Sequence, residues 1–230
     1  MRKEIYIKIA DKVFRIVFSH PFLYNTTKIQ FEKMIVFPSK GTKIITITEQ
    51  DVLNNKFFNL YAYFVKIMAD NYLFFHASGV EKNCKAKIFV GPQNHGKTTA
   101  FLYSILKGYN ALGNEMIIIS LSDHMVYSFP CPLKIFDDEI IKYFEKISHR
   151  QIRITYSEKA HLEEAWLLTD VNTESPPAFL FKNCFNRFYD RRKTFCNILN
   201  LLEKIKFNIT FKFDIFKEKN KTIDILQKIL

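Results

Sequence analysis

The chain has 230 residues, of which 48% are hydrophobic and 25% charged, and it carries a formal net charge of +11. This length is sufficient for a full core and predicts one domain, or one domain with a smaller appendage. No run of 18 or more apolar residues occurs, which argues against a transmembrane helix, and the 4 cysteines show no C-x-x-C pairing, which argues against a zinc site.

The sequence begins without the pattern of an exported protein. Met1–Glu4 lead straight into an alternating, strand-like segment and not into the apolar core of a signal peptide. We therefore expect a soluble, cytoplasmic protein with reduced thiols and no membrane partner. The positive charge favours an acidic partner such as a nucleotide, a nucleic acid or an acidic peptide. A composition rich in Ile, Lys, Phe and Asn also arises from an AT-biased genome, so the charge alone does not favour nucleic acid as a partner.

Residues 1–50 alternate in the manner of β-strands and predict a small, mostly antiparallel β unit. The strands predicted here are residues 4–9, 13–18, Met34–Phe37 and Ile44–Ile47. From Asp51 to Met68 the apolar positions take helical spacing, and Asp51 is the predicted N-cap. The chain is thus expected to divide into an N-terminal β unit over 1–50 and a larger domain over 51–230, on which that unit packs.

A hairpin is predicted around residue 83. Tyr72–Val80 reads as a strand, and a short polar turn joins it to the apolar strand Lys87–Val90. A turn centred near residue 83 gives pairing partners that sum to about 166, which sets His76 opposite Val90. His76 would then lie beside the segment that follows Val90. The alternative is a hydrogen-bonded strand histidine with no functional role.

The segment after Val90 fits a phosphate-binding pattern, G-x-x-x-x-G-K-[ST], at every fixed position. It reads Gly91, Pro92, Gln93, Asn94, His95, Gly96, Lys97, Thr98 and Thr99. In this pattern the backbone N–H groups and the next helix N-terminus bind phosphate oxygens, the lysine neutralises the β- and γ-phosphates, and the Thr98 hydroxyl binds Mg²⁺. A buried strand before the loop and a predicted helix over Thr99–Leu106 after it supply the required context. The sequence therefore predicts a nucleoside triphosphate site.

One position departs from the commonest form of this loop, in which a third glycine stands where this chain has Asn94. Asparagine is the residue other than glycine that best tolerates a positive φ. We therefore expect the loop to keep its conformation.

The strand after the loop helix points to a second group near the phosphates. Tyr109–Leu112 reads as the next strand of a β-α-β unit, so its carboxyl end should meet the same edge as the phosphate loop. Asn114 and Glu115 follow at that end. A carboxylate there is suited to hold Mg²⁺ directly or through water, which makes Glu115 a candidate metal ligand. The alternative is a solvated carboxylate in a turn.

The remaining elements alternate without a repeat or a linker. They are predicted as a strand over Met116–Ser120, an edge or loop segment over Met125–Leu133, a helix over 137–147, a polar and mobile stretch over 151–163, strands over Ala165–Leu168 and Ala178–Phe181, a helix over 186–204, a strand over Ile209–Ile215 and a terminal helix from Thr222.

Two side-chain clusters in this part have a functional and a structural interpretation. His161 with Glu163 and Glu164 has the composition of a metal site, but a polar loop is favoured. A basic cluster could contact nucleotide phosphate or an acidic substrate, with a solvated helix face as the default. Its members are Arg187, Arg191, Arg192 and Lys193.

Three segments taken together resemble the kinase domain of HPr kinase/phosphorylase and its smaller relatives, which share a P-loop core with phosphoenolpyruvate carboxykinase. They are His76–Val80, the loop that begins at Gly91, and Leu112–Met116. In that family a histidine lies 15 residues before the first loop glycine, and an acidic pair lies 23 and 24 residues after it, which here selects His76, Asn114 and Glu115. The segment Phe129–Leu133 also resembles a stretch of the smaller relatives, some of which phosphorylate ribosomally made peptides.

The resemblance implies a fold, a reaction and a set of roles. The fold would be mixed α+β with an HPr kinase-like P-loop core, and the reaction would be the ATP- and Mg²⁺-dependent phosphorylation of a Ser or Thr hydroxyl on a protein or peptide. Gly91, Gly96, Lys97 and Thr98 would hold ATP and Mg²⁺. His76 would line the reaction site, and Glu115 would stand at the metal-side acidic position.

Asn114 departs from the family at a position of consequence. The family has an aspartate there that accepts the proton of the substrate hydroxyl, and an amide cannot accept it. A second hypothesis is therefore a catalytically impaired nucleotide-binding regulatory or scaffold protein. HPr itself is not a supported substrate, an ATPase acting on nucleic acid has only the net charge in its favour, and the oligomeric state, a homo-oligomer included, stays open.

Overall fold

A computed structural model describes residues 3–53, 60–131, 135–170, 175–212 and 217–230. The strands are β1 Lys3–Ile9, β2 Lys12–Phe18, β3 Ile44–Thr48, β4 Tyr72–Phe75, β5 Ala77–Lys82, β6 Lys85–Val90, β7 Asn110–Gly113, β8 Ile117–Ser120, β9 Met125–Tyr127, β10 Lys159–Thr169 and β11 Lys206–Phe211. The helices are α1 Pro21–Gln30, α2 Glu49–Leu53, α3 Leu60–Met68, α4 Lys97–Leu106, α5 Ile135–Ser148, α6 Pro176–Lys182, α7 Arg191–Leu202 and α8 Lys219–Ile229, with short 3-10 segments at Glu32–Met34 and Phe185–Phe188. The protein is thus a mixed α+β protein.

The N-terminal strands form a separate sheet of three strands in the order β1-β2-β3. β1 and β2 pair antiparallel, as predicted, but β3 runs parallel to β2 because helix α1 crosses between them. The strand predicted at Met34–Phe37 is wrong. Met34 ends a 3-10 turn, Ile35 makes one isolated bridge to Ile7, and Phe37 is 96% exposed. Pro38 limits any ladder here, since it has no N–H to donate.

The N-cap prediction for the next helix is also corrected. Helix α2 begins at Glu49, and Thr48 stands before it. The carboxylate of Asp51 accepts hydrogen bonds from the backbone N–H of Thr48 at 2.7 Å and from its hydroxyl at 2.6 Å. This is a capping box in which Asp51 takes the third helical position. The predicted helix to Met68 reappears as α3, while residues 54–59 between the two helices lie outside the described chain.

The larger sheet has eight strands in the described chain, in the order β4-β8-β9-β10-β6-β5-β7, with β11 paired to the second half of β10. β10 runs parallel to β6, whereas β5 runs antiparallel to both β6 and β7. β6 and β7 therefore point the same way, and their carboxyl ends meet one edge of the sheet as predicted, although β5 separates them.

The larger sheet curls back on itself. β4 and β5 are separated only by His76, yet they stand far apart in the strand order. Gly79 on β5 lies against Ile117 on β8, where a Cβ at Gly79 would come within 2.6 Å of the Ile117 side chain. β5 and β8 therefore pack closely at this point, and a side chain at residue 79 would force the end of the Ile117 side chain to move.

Helices cover both faces of this sheet. Successive strand residues point to opposite faces, so on β6 Ile88 packs with α6 and α7, and its neighbour Phe89 packs with α4, α5 and α8. The N-terminal sheet and α3 share a third apolar cluster with β4 and β8, which includes Phe74. Within the described residues, no helix is both long and apolar enough to cross a bilayer.

The elements from β9 onward differ from prediction in four places. β9 is not an edge strand, because it pairs with β8 on one side and with β10 on the other, and the prolines that suggested an edge follow it in the sequence. β10 begins at Lys159, so the stretch over 151–163 is not polar loop throughout; its alternation of buried and exposed residues was hidden by charged side chains on the outer face. Ala178–Phe181 is helix α6 and not a strand, because two prolines at its first turn favour helix initiation. The helix predicted over 186–204 begins only at Arg191, where the Asp190 side chain accepts from Lys193 N at 2.9 Å. The end of the strand predicted to Ile215 lies outside the described chain.

Candidate functional site

The β5–β6 hairpin sets the position of His76. Asn83 and Cys84 both adopt positive φ, at 55° and 63°, and form a two-residue turn that pairs Ala77 with Val90. The predicted hairpin is thus confirmed, but its register is one residue off, because the turn is centred between the two residues and not on Asn83. His76 lies just beyond the last pair, in the break between β4 and β5.

The loop from Gly91 to Gly96 turns the chain from β6 into α4. A Cβ at Gly91 would lie 2.9 Å from the carbonyl oxygen of Leu168 on β10, so only glycine allows β10 to pass this closely. Asn94 has φ 62° and Gly96 has φ 92°. The expectation that Asn94 would take a positive φ is confirmed, and the first helical residue after the loop is Lys97.

The side chains at the start of α4 are held inside the loop. Lys97 is 6% exposed, and its ammonium donates to the carbonyl oxygen of Pro92 at 2.7 Å across the loop. The buried hydroxyl of Ser78 donates to the carbonyl oxygen of Lys97 at 2.9 Å and ties β5 to the helix start. Thr98 is half-buried on the first turn. This arrangement directs a helix N-terminus and one cation to the space in the loop, which suits an anion.

A carboxylate that the sequence interpretation missed lies beside this loop. Asp170 follows β10, and its carboxylate is 3.1 Å from Nε2 of His95 and 2.6 Å from the ammonium of Lys212. The hydrogen bond from Lys212, with the nearby His95, holds the pKa of Asp170 below its usual range. The sequence could have indicated Asp170. The strand predicted at Ala165–Leu168 is followed by this acidic residue near its carboxyl end, just as β7 is followed by Glu115.

His76 and Glu115 come together as neighbours. Nε2 of His76 is 3.7 Å from the Glu115 carboxylate, and both side chains are about one quarter exposed, at 26% and 28%. Asn114 beside them is completely buried. The turn is tight, since a Cβ at Gly113 would lie 2.6 Å from the carbonyl oxygen of Met116. Of the two residues after β7, only Glu115 therefore reaches towards His76 with solvent contact.

A cleft of about 440 Å³ opens between the phosphate loop and the connection from α6 to α7. Its inner side is formed by His76, Pro92 and Gln93. Its outer side, which we name the cleft wall, runs from Lys182 to Phe188. The cleft therefore joins the loop and His76 to a segment that the sequence alone did not connect with either.

One buried asparagine fixes the cleft wall to the sheet. The side chain of Asn186 accepts from Phe74 N at 2.8 Å and donates to the carbonyl oxygen of Tyr72 at 2.7 Å, so it pairs with β4 as a strand would. The next backbone N–H beyond β4, that of His76, also donates to the wall, to the carbonyl oxygen of Asn183 at 2.8 Å. The wall thus occupies the edge of β4 that β8 does not.

The other predicted clusters separate in space. Arg187 lines the cleft, whereas Arg191, Arg192 and Lys193 lie in the first turn of α7, and Lys193 pairs with Asp70. His161, Glu163 and Glu164 lie on a strand, where both carboxylates pair with lysines. Across the described residues, no group of three or more His, Cys, Asp or Glu side chains is arranged to hold a metal ion.

Cys184 in the cleft is not suited to act as a nucleophile. Burial raises the pKa of its thiol to about 12, so it stays protonated at neutral pH. None of the 4 cysteines forms a disulfide. The reactive and charged groups that line the cleft are therefore the imidazole of His76 and the cations of the wall, while Glu115 lies beside His76 and Lys97 lies inside the loop.

No model of a protein family matches the sequence, and no curated protein matches it.

Proposed function

We propose that this protein is a phosphotransferase that binds ATP and Mg²⁺ at Gly91–Thr99 and phosphorylates a Ser or Thr hydroxyl of a protein or peptide. An HPr kinase-like core and a cytoplasmic location are part of this proposal. The observation that carries it is the phosphate loop, with Asn94 and Gly96 at positive φ, opening into a cleft that contains His76. The proposal assigns the nucleotide to the loop and the acceptor to the cleft.

The residues present fit a nucleotide and its metal. Gly91 leaves no room for a side chain against β10, and the buried ammonium of Lys97 faces the loop interior. Mg²⁺ in such sites takes one or two carboxylates together with phosphate oxygens, so a cage of protein ligands is not needed. Thr98, Glu115 and Asp170 are the oxygen donors that lie around the loop. Bound ATP with Mg²⁺ would supply an electrophilic γ-phosphoryl group there.

The protein side chains act by positioning and by charge. Lys97 neutralises negative charge on the phosphates, and the N–H groups of the loop hold their oxygens. The Glu115 carboxylate stands 3.7 Å from Nε2 of His76, an ion-pair distance once the imidazole carries a proton. His76, at the cleft, is then placed to orient the acceptor hydroxyl and to take its proton.

A second candidate function is supported by Asn114. It occupies the position at which the resembled family has its base, it cannot accept a proton, and it is completely buried. A missing base typically costs about 10²–10⁴ in rate. A nucleotide-binding regulatory or scaffold protein would keep the loop and have lost turnover.

Nucleotide binding is tested first by thermal denaturation with ATP and Mg²⁺. A ligand at 100 times its dissociation constant stabilises the folded state by about 2.7 kcal/mol. We expect this stabilisation in the wild type and in a control, Lys142→Ala, which removes an exposed lysine from α5. Lys97→Ala should lose most of it. Equal stabilisation of Lys97→Ala, or none in the wild type, would rule out the phosphate site.

Phosphoryl transfer is tested with γ-labelled ATP and a panel of Ser- and Thr-containing peptides. We expect labelling by the wild type if His76 takes the proton, and a loss of labelling in His76→Ala. Asn114→Asp should raise the rate by up to about 10²–10⁴ if only the base is missing. Burial should raise the pKa of such an aspartate, so its melting temperature must be measured alongside. Nucleotide binding without transfer in either protein would favour the second function.

A further inference from the structure

We propose that the acceptor is an acidic peptide segment, whose carboxylate is held by Arg187 and Lys182 on the cleft wall while its hydroxyl faces His76. This inference rests on the proposed phosphotransferase function and names the substrate class of the same site. It assigns recognition to the wall and chemistry to the loop.

The charges that line the cleft all favour an anion. Among the described lining residues the charged ones are Arg187 and Lys182, both on the wall, and there is no Asp or Glu. A cleft with one sign of charge attracts the opposite sign in its ligand. The proposed function places the nucleotide at the phosphate loop, and Arg187 and Lys182 lie across the cleft from that loop, on the side that we assign to the acceptor.

Arg187 is set up to bind a carboxylate. Its guanidinium lies over the Phe188 ring at 4.7 Å, and one N–H donates to the carbonyl oxygen of Phe181 at 3.4 Å. No carboxylate in the described chain forms a salt bridge with it. A guanidinium has five N–H donors in a planar fork that matches a carboxylate, and stacking on a ring fixes its plane.

The cleft wall is in direct contact with His76. Asn183, next to Lys182, accepts the backbone hydrogen bond of His76 at 2.8 Å, and the ring of Phe185 lies 6.2 Å from the imidazole. Because the wall and His76 are neighbours, the proposed acceptor carries its acidic residue close in sequence to the Ser or Thr.

The shape of the cleft favours a peptide over a small hydroxy acid. Lys182 is exposed and Phe188 is 44% exposed, so the outer wall opens to solvent and does not enclose the ligand. An extended chain can enter such a cleft with its ends outside. The rings of Phe185 and Phe188, which also line the cleft, offer contacts for neighbouring side chains.

The test compares three peptides of equal length, each with one Ser flanked by Glu, by Gln or by Lys. Their affinities are measured by fluorescence anisotropy on protein loaded with ADP and Mg²⁺, so that the readout does not require transfer. Hydrogen bonds to charged groups predict a preference of roughly 10- to 100-fold for the Glu peptide. Arg187→Gln and Lys182→Gln should each reduce this preference, whereas Arg192→Gln, an exposed arginine of α7 outside the cleft, should not.

A charge-reversal variant distinguishes a change in peptide preference from a loss of binding caused by unfolding. Arg187→Glu should shift the preference towards the Lys peptide, which an unfolded variant would not do. Equal binding of all three peptides, or a preference unchanged in both Arg187→Gln and Lys182→Gln, would overturn the proposal. Competition by free lactate as strong as by the Glu peptide would also overturn it, in favour of a small acid.

The outcome separates this inference from the function on which it rests. Transfer to Ser peptides without an effect of flanking charge would support the phosphotransferase function and contradict the preference for an acidic peptide. Selective binding of the Glu peptide without transfer would support an acidic peptide as the ligand and contradict the phosphotransferase function, so that the protein would be a binding protein.

Discussion

The phosphate loop and the cleft wall border the same cleft, but they are encoded in different ways. The loop can be recognised within nine consecutive residues, and the positive φ of Asn94 and Gly96 is a local property, although Gly91 is also required by the approach of β10. The wall is held by Asn186, whose partners Phe74 and Tyr72 lie more than 100 residues earlier in the chain. A contiguous motif can be read from sequence, whereas a wall fixed by one distant side chain cannot.

The largest effect expected from this comparison concerns Cys184. Burial raises its pKa from 9.0 to about 12, which lowers the thiolate fraction at pH 8 by about 10³. Alkylation followed by mass spectrometry should therefore label the exposed Cys84 and Cys196 at least about 10³ times faster. Labelling of all cysteines after denaturation is the control. Similar rates for Cys184 and Cys196 in the native protein would mean that the wall is not held against β4.

A second prediction removes the side chain that holds the wall. Asn186→Ala leaves a buried N–H at Phe74 and a buried carbonyl at Tyr72 without their partner, and each such group costs about 1–3 kcal/mol. We expect a loss of about 3 kcal/mol in the free energy of unfolding by denaturant. Asn200→Ala, at an exposed position of α7, should cost far less. Losses of the same size would contradict the role given to Asn186.

The sequence predicted much of this molecule where local chemistry decides the structure. The β5–β6 hairpin, the loop, α4 and the direction of β7 follow from turn residues, a motif and the rule for parallel strands. The predicted register of the hairpin was wrong by one residue, because Cys84 adopts a positive φ as Asn83 does. Cysteine is not a residue type that favours this conformation, so the sequence did not indicate it.

Other features depend on packing that no short segment contains. Ala178–Phe181 has strand composition, yet the prolines before it make it helix α6. Lys159–Glu164 is too charged to suggest a strand. In the fold, however, this segment of β10 pairs with β6 and β9, and its alternate residues are buried. In the candidate site, the approach of Glu115 to His76 was foreseeable from strand direction, whereas the presence of Arg187 beside them required the fold.

A third prediction returns to the loop. Gly91→Ala places a Cβ 2.9 Å from the Leu168 carbonyl oxygen, so the loop and β10 must separate. Overpacking of this kind costs about 1–3 kcal/mol, and we expect about 2 kcal/mol together with weaker ATP binding. Gly41→Ala is the matched control, since Gly41 has φ 89° with open space around it and lies far from the loop in sequence. It should lose about 1 kcal/mol through backbone strain and keep its ATP affinity.

The smallest effect on stability is expected at Asp170. The pair that it forms with Lys212 is solvent-exposed, and exposed pairs contribute little. Its lowered pKa means that whatever stability it adds is present above the usual aspartate range near pH 4 and is lost as the pH falls through its folded pKa. Asp170→Asn should therefore lose little stability at pH 7, as should Asp70→Asn, which breaks another exposed pair with Lys193.

The same substitution should nevertheless change how ATP binding depends on Mg²⁺. A carboxylate beside the loop repels bare phosphates and attracts a metal ion bound to them, so the two terms have opposite signs. Asp170→Asn should bind metal-free ATP at least as well as the wild type and bind ATP with Mg²⁺ roughly tenfold more weakly. Isothermal titration with and without Mg²⁺ measures both, with Asp70→Asn as the control. An unchanged Mg²⁺ dependence would reduce Asp170 to a surface partner of His95 and Lys212, and would leave Glu115 as the metal-side carboxylate of the proposed site.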